Sequence, residues 1–165
     1  MATSCSLVVL ARRSAGQQVS RSAGQQVSPQ TRNQRMITGS CLCGAIRYEI
    51  TDAPKRMNIC HCSMCRKITG SAYGVFAHIK RSKFRWIEGE SSVQRYESSP
   101  GATRAFCPKC GSSVPSCNEN YTCIPAGTFD SDPQVEPMLQ IFAGSKAPWH
   151  TMAADPVAYD EYDPD

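Results

Sequence analysis

The central stretch of the chain reads Ile59-Cys60-His61-Cys62-Ser63-Met64-Cys65-Arg66-Lys67, which places three cysteines within six residues. Two further pairs flank it, in Cys41-Leu42-Cys43-Gly44 upstream and Cys107-Pro108-Lys109-Cys110-Gly111 downstream. Seven of the ten cysteines therefore lie in three tight clusters. Cysteines grouped at such short spacing are typical of metal sites, so the spacing predicts metal chemistry.

The two flanking pairs together supply four thiolates, Cys41, Cys43, Cys107 and Cys110. Each pair is followed by a glycine, which allows the chain to reverse direction while backbone N–H groups point at the sulfurs. Four thiolates suit a closed, tetrahedral structural zinc site. Such a site would join the first strand of the fold to a late strand and contribute folding free energy. The alternative interpretation is a pair of disulfides.

The central group, Cys60, Cys62 and Cys65, has one ligand fewer. In an extended chain the first two side chains point to one side and His61 points away, and a helical turn would bring Cys65 round to join them. Three sulfurs would leave the fourth position of a zinc ion open, as in catalytic sites. Because three thiolates reduce the Lewis acidity of zinc, the site should hold an incoming thiol better than it activates water.

Other interpretations of this group remain open. A fourth ligand could close the site and make it structural, and a Cys62/Cys65 pair could act as a redox dithiol. Arg66 and Lys67 could attract an acidic ligand or could be solvated surface charges. Cys117 and Cys123 are otherwise expected to be ordinary buried thiols, and Cys5 an inert tail residue. The candidates for a fourth ligand are His61, His78, Cys117 and Cys123.

The 165 residues suffice for one domain with a modest core. Residues 1–35 carry five arginines, no acid and an exact tandem octamer, which predicts a disordered tail or, alternatively, an organelle transit segment. The zinc-binding domain is predicted over residues 36–150, and residues 151–165 read as an acidic tail. No apolar run approaches the ~20 residues of a membrane span. The longest run near the start, Leu7 to Ala11, is too short for a signal-peptide core, so we expect a cytoplasmic protein in a reducing compartment.

The domain is predicted to be mostly β, with many short strands joined by Gly/Pro turns and no long amphipathic helix. A helical turn is expected over residues 62–68. The net charge of +4 is a weak argument for nucleic acid, because the chain lacks a dense basic stripe interleaved with aromatic residues. The predicted strands cover residues 45–50, 56–60, 72–79, 84–87, 92–96, 103–106, 112–116, 122–126 and 138–142.

Taken together, these motifs resemble the glutathione-dependent formaldehyde-activating enzyme family, also called the centromere protein V/formaldehyde-activating family. The resemblance covers roughly residues 36–150. It rests on the three cysteine motifs, with Thr69-Gly70-Ser71 and Phe106, and extends to the stretches Ala126-Gly127-Thr128-Phe129-Asp130 and Ile141-Phe142-Ala143-Gly144-Ser145-Lys146-Ala147-Pro148-Trp149.

The resemblance implies a β-tent (Mss4-like) fold of small antiparallel sheets and two zinc ions per chain. A structural zinc would bind Cys41, Cys43, Cys107 and Cys110, and a catalytic zinc would bind Cys60, Cys62 and Cys65. The implied activity is that of a carbon–sulfur lyase, which condenses glutathione with formaldehyde to S-(hydroxymethyl)glutathione.

One position departs from the family pattern, because Gln140 stands where a histidine is frequent in the family.

From the cysteine motifs and the resemblance we expect an enzyme that adds glutathione or a similar thiol to formaldehyde or another small aldehyde. The alternatives are a non-catalytic, chaperone-like zinc module with two structural zinc ions and a nucleic-acid-binding zinc ribbon. The expected partners are a small-molecule thiol and an aldehyde, with no nucleic acid and no membrane.

Overall fold

The computed structural model describes residues 36–154 and 156–164, and the repeat predicted as a tail or transit segment lies outside them. The described part contains a single α-helix, α1 (Ser63–Thr69), and twelve strands. The strands are β1 (Ile37–Ser40), β2 (Arg47–Ile50), β3 (Arg56–Cys60), β4 (Gly74–Lys80), β5 (Phe84–Glu88), β6 (Gln94–Ser99), β7 (Ala102–Phe106), β8 (Ser113–Val114), β9 (Ser116–Cys117), β10 (Tyr121–Pro125), β11 (Leu139–Ile141) and β12 (Val157–Ala158).

These strands form three sheets, with the orders β1-β2-β5, β12-β11-β3-β4-β10-β9 and β6-β7-β8. The predicted class, mostly β with small antiparallel sheets, is confirmed. The exception is β11, which pairs in parallel with both β3 and β12. A parallel pair needs a connection of about a dozen residues or more, and both pairs have one, since residues 61–138 separate β3 from β11 and residues 142–156 separate β11 from β12. No helix in the described ranges is long and apolar enough to cross a membrane.

The sequence did not predict β1 or β12. The strand signal of β1 is weakened by Gly39, since glycine is depleted in strands. That glycine is needed because a Cβ atom at this position would overlap the Tyr48 ring. The other strand, β12, lies within residues 151–165, where the sequence predicted a tail, and it joins the edge of the six-stranded sheet. The domain boundary at residue 150 stays a prediction.

The main core lies between the β1-β2-β5 sheet and the six-stranded sheet. Tyr48 is its largest fully buried side chain, and its ring stacks on Phe84 at a centroid distance of 5.5 Å. The Tyr48 hydroxyl is 2.7 Å from Thr128 Oγ1, so the polar end of the ring is satisfied. The remaining buried members of this core are Ile37, Ile50, Met57, Ala77, Ile79 and Ile124.

Two smaller clusters each contain one group of cysteines. The first includes Cys41 and Cys107 with the apolar side chains of Ile46, Val93 and Val114. The second contains Cys60, Cys65 and Phe76. The cysteine groups are thus built into the packing of the domain, and each is supported by apolar neighbours rather than placed on an open loop.

Helix α1 is short because capping interactions define both of its ends. At its N-terminus the Cys62 sulfur accepts a hydrogen bond from the Cys65 N–H at 3.4 Å. At its C-terminus Gly70 has φ 61°, the left-handed conformation that glycine adopts without strain, and its N–H donates to the Arg66 carbonyl. The predicted helical turn is therefore present, and it brings Cys65 back towards Cys60 and Cys62.

Candidate metal centres

The four flanking cysteines converge into one group, which we call the four-cysteine centre. The Sγ atoms of Cys41, Cys43, Cys107 and Cys110 all lie within 4.8 Å of one another. Cys41 Sγ is 3.6 Å from Cys43 Sγ, which is 3.8 Å from Cys107 Sγ. Tetrahedral zinc with Zn–S bonds of about 2.3 Å requires S–S separations of about 3.8 Å. The four sulfurs fit that ion, and all four cysteines are free thiols rather than disulfides.

Two matching turns hold the four-cysteine centre. Gly44 and Gly111 both have left-handed φ angles, 73° and 75°. The Gly44 N–H donates to the Cys41 carbonyl and the Gly111 N–H to the Cys107 carbonyl, each at 2.9 Å. A further N–H, that of Ile46, donates to the Cys41 sulfur at 3.3 Å. The glycines thus act as the sequence predicted, because each lets the chain reverse and bring backbone donors towards the sulfurs.

The pKa values within the four-cysteine centre are split between its members. Against a backbone hydrogen bond from Ala45 that lowers it, desolvation and the neighbouring cysteine sulfurs raise the pKa of Cys43 to about 11. Cys110 Sγ lies 3.4 Å from Ser112 Oγ. Hydrogen bonds from the Ser112 side chain and backbone lower the pKa of Cys110 to about 5. Since metals bind thiolates rather than thiols, a cysteine that is deprotonated at neutral pH is ready to act as a ligand.

The remaining three clustered cysteines form a second group, the three-cysteine centre. The Sγ atoms of Cys60, Cys62 and Cys65 lie within 4.8 Å of one another. They come from the end of β3, the following residue pair and the first turn of α1. The hydrogen bond with Cys65 lowers the pKa of Cys60 to about 6, and the same contact raises the pKa of Cys65. The group therefore binds a proton on Cys65 more readily than on Cys60, and a cation would replace that proton.

No fourth ligand completes the three-cysteine centre within the described ranges. A metal-ligating atom of His, Cys, Asp or Glu that lay within 4.8 Å of all three sulfurs would belong to the group, and none does. The candidates raised by the sequence, His61, His78, Cys117 and Cys123, all lie outside it. The three sulfurs thus fit one cation with a coordination position left over.

His61 is fully buried and is held by Gln140. Its Nε2 is 2.9 Å from Gln140 Oε1. The Gln140 amide donates to the carbonyls of Ala153 at 3.1 Å and Pro156 at 2.9 Å. Because the amide nitrogen makes both of those bonds, Oε1 must accept, and the proton of His61 is therefore assigned to Nε2.

This arrangement explains where the glutamine that departs from the family pattern acts. Gln140 is 2% exposed and lines neither of the two cavities described below. The His61 ring packs against Tyr73 and His150, and its buried Nδ1 has no hydrogen-bond partner among the described residues. Gln140 thus positions the residue between Cys60 and Cys62.

Replacing Gln140 with leucine is expected to lower the free energy of unfolding by about 1–3 kcal/mol, because the buried His61 ring loses its hydrogen-bond partner. The carbonyls of Ala153 and Pro156 also lose a donor. Urea unfolding followed by circular dichroism measures the change. The control is Gln94→Leu, which changes an exposed glutamine at the start of β6 and should shift stability by about 0.5 kcal/mol or less. Equal stability of the two variants would show that the Gln140 contacts contribute nothing.

A cavity of about 600 Å³ opens beside the three-cysteine centre, and all three cysteines line it. Its wall includes an aromatic pair, Phe142 and Tyr162, with ring centroids 4.6 Å apart. A smaller cavity of about 440 Å³ shares several wall residues with the first, among them Asn58 and His78. The larger volume lies within the ~300–1,000 Å³ typical of small-molecule sites.

Two charged residues that the sequence singled out lie elsewhere, and one that it missed lies in the wall. Arg66 donates to the carbonyls of His61 at 3.2 Å and Ser145 at 3.3 Å, so it ties α1 to a neighbouring loop. Neither Arg66 nor Lys67 lines the cavity, whereas Arg104 does. The sequence feature that could have pointed to Arg104 is its position three residues before Cys107. The sequence alone does not show which face of β7 is turned towards the cavity.

Comparison with known proteins gives consistent matches. The family model described as glutathione-dependent formaldehyde-activating enzyme matches residues 36–145. An uncharacterized lyase of Schizosaccharomyces pombe is 30% identical over 76 residues, 46% of this chain and 53% of that protein. A Halomonas elongata protein, provisionally described as a glutathione-dependent formaldehyde-activating enzyme, is 30% identical over 86 residues, 48% of this chain and 54% of its own length.

The chain thus spans about half the length of these curated relatives. A crystal structure of a Rhodobacter sphaeroides protein superposes with a TM-score of 0.48 at 23% identity. That superposition covers 61% of this chain and 91% of the other.

Proposed function

Because this chain belongs to the glutathione-dependent formaldehyde-activating enzyme family, we propose that it is a carbon–sulfur lyase-type enzyme. It adds a thiol, glutathione or a similar compound, to formaldehyde or another small aldehyde. The observation that carries the proposal is the three-cysteine centre, whose sulfurs converge without a fourth ligand from the described residues and line a cavity of substrate size. A lyase-type relative and a formaldehyde-activating relative support the reaction class.

In this proposal Cys60, Cys62 and Cys65 hold one zinc ion. When bound, zinc would supply a site that takes up a thiol and lowers its pKa. Packing holds the three sulfurs in place, because Cys60 and Cys65 are buried against Phe76 and Cys62 caps α1. The residues of the chain thus preorganise the site before any ligand arrives.

The cavity fits the larger of the two reactants. A water molecule takes up about 30 Å³, so 600 Å³ is on the order of twenty waters and far exceeds formaldehyde. The thiol substrate would therefore occupy most of the space, with the aldehyde next to its sulfur. The condensation forms one S–C bond and converts the C=O group to a hydroxyl. The thiol loses one proton and the oxygen gains one, so no redox partner is needed.

The four-cysteine centre is proposed to hold a second, structural zinc. Its ligands come from the turn between β1 and β2 and from the turn between β7 and β8, some 64 residues apart. Zinc in this position would join two of the three sheets.

We assign the catalytic domain to residues 36–150. We place the protein in the cytoplasm, a reducing compartment in which clustered cysteines more often bind metal than form disulfides.

Exchange NMR on glutathione mixed with formaldehyde tests the activity. The zinc-loaded protein is expected to speed the exchange between free and S-hydroxymethylated glutathione well above the spontaneous rate. Chelator-treated protein is the control and should give the spontaneous rate. Two bound zinc ions without any acceleration would contradict the proposed reaction for this thiol and favour a non-catalytic zinc module.

A further inference from the structure

The charge on the wall of the larger cavity is unevenly distributed. Among the described residues that line it, Arg104 is the one with a permanent charge, and none is Asp, Glu or Lys. Burial, with a smaller effect of the Arg56 charge, lowers the pKa of His78, the histidine on this wall, and so favours its neutral form. The cavity therefore presents one fixed cation, and no carboxylate on its wall neutralises it.

One hydrogen bond, made by Nε, orients the guanidinium group of Arg104. Its Nε donates to Ser98 Oγ at 3.1 Å, and the Ser98 hydroxyl in turn donates to the Ala102 carbonyl at 3.0 Å. The ion pairs found in the described ranges do not include Arg104, which also donates no hydrogen bond to a cysteine sulfur there. The two terminal nitrogens are thus left to bind a ligand, and they form the edge that matches a carboxylate.

Arg104 also shares a cavity with the sulfurs, because Cys60, Cys62 and Cys65 line the same wall. Burial raises the pKa of Cys123 to about 12, and the positive charge of Arg104 opposes that rise. A ligand whose sulfur met the three-cysteine centre could therefore reach Arg104 with an acidic group.

We propose that Arg104 binds a carboxylate of the thiol substrate and so restricts the enzyme to thiols that carry a negative charge. This inference rests on the proposed function, because it assumes that the cavity takes up a thiol. Its competitor is a purely electrostatic role, in which Arg104 only offsets the negative charge of three thiolates around a divalent ion. The two roles differ in what they predict for neutral thiols.

The test measures binding without any aldehyde, using two thiols that differ in one group. N-acetylcysteine has a carboxylate, and N-acetylcysteine amide replaces it with a neutral amide. Calorimetric titration of the zinc-loaded full chain is expected to show the acid binding about 10- to 100-fold more tightly. The Arg104→Gln variant should reduce this ratio to near one, chiefly by weakening the binding of the acid.

Arg95→Gln is the matched control. It removes the same charge from an exposed residue of the neighbouring strand β6, outside the cavity wall, and should leave the ratio unchanged. Zinc content is measured for both variants. If Arg104→Gln does not fold, Arg104→Lys replaces it and should reduce the ratio in part, because lysine keeps the charge but loses the planar fork.

Three results would overturn the proposal. The first is a wild-type protein that binds the acid and the amide with equal affinity, or that binds neither. The second is a ratio that Arg104→Gln leaves unchanged while both thiols weaken together, as the electrostatic role requires. The third is an Arg95→Gln variant that no longer binds the acid more tightly than the amide. Failure of the proposed function looks different, because the preference for the acid would then persist without any acceleration of the reaction with formaldehyde.

Discussion

Replacing Cys107 with serine is expected to unfold the domain at 25 °C. Cys107 is 1% exposed, packs in the smaller apolar cluster with Ile46 and Val114, and contributes one of the four converging sulfurs. Structural zinc contributes about 10–16 kcal/mol in zinc-finger peptides, whereas whole domains are stable by about 5–15 kcal/mol. Loss of one ligand of four can therefore exceed the entire free energy of unfolding. Circular dichroism and zinc content measure the result.

Cys117→Ser is the control for the loss of a thiol as such. Cys117 is half-buried and lies outside both cysteine groups, so this variant should stay folded and keep two zinc ions. A Cys107→Ser protein that melts within a few degrees of the wild type would show that the four-cysteine centre does not carry the fold.

Replacing Cys62 with serine is expected to abolish catalysis and preserve the fold. Cys62 is the N-cap of α1, and serine is among the preferred N-cap residues, so the helix should keep its start. The variant should lose one zinc ion. Its acceleration of the exchange between glutathione and formaldehyde should fall by at least about 100-fold, because one of three ligands is removed. Zinc analysis, thermal melting and exchange NMR are measured on the same sample.

The control for this variant is Cys123→Ser. Cys123 lines the same cavity but lies outside the three-cysteine centre. It should retain both zinc ions and most of the activity. If Cys62→Ser and Cys107→Ser unfold to the same extent, both centres are structural and the enzymatic proposal fails at this point.

Local patterns in the sequence carried much of the fold and of the site. Alternation predicted that Cys60 and Cys62 would share a side and that His61 would face away, and His61 is indeed outside the group of sulfurs. Glycines after each pair predicted the two turns, which depend only on local backbone geometry. Short alternating segments separated by Gly/Pro turns predicted the mostly β class, because strand and turn patterns are also local in the sequence.

Features that depend on distant parts of the chain could not be predicted in this way. Gln140 bonds to His61 across 79 residues, and its other partners lie in the C-terminal segment. Arg104 reaches the cavity because β7 packs beside the strands that form the cavity wall. Packing between strands that are distant in the chain leaves no periodic pattern in the sequence. β12 was missed because two residues give no detectable alternation.

The position of β11 has a consequence for how the protein is made. In the six-stranded sheet β3 has two neighbours, β4 and β11, and β11 is synthesised about 80 residues after β3. At about 5–20 residues per second, roughly 4–16 s pass between the two. Until β11 is made, the edge of β3 that ends at Cys60 has no strand to pair with on that side. Cys60, Cys62 and Cys65 lie within six residues of one another, so all three thiols are available to a cation throughout this interval. Supply of zinc to the nascent chain, rather than to the released protein, would protect those thiols from oxidation.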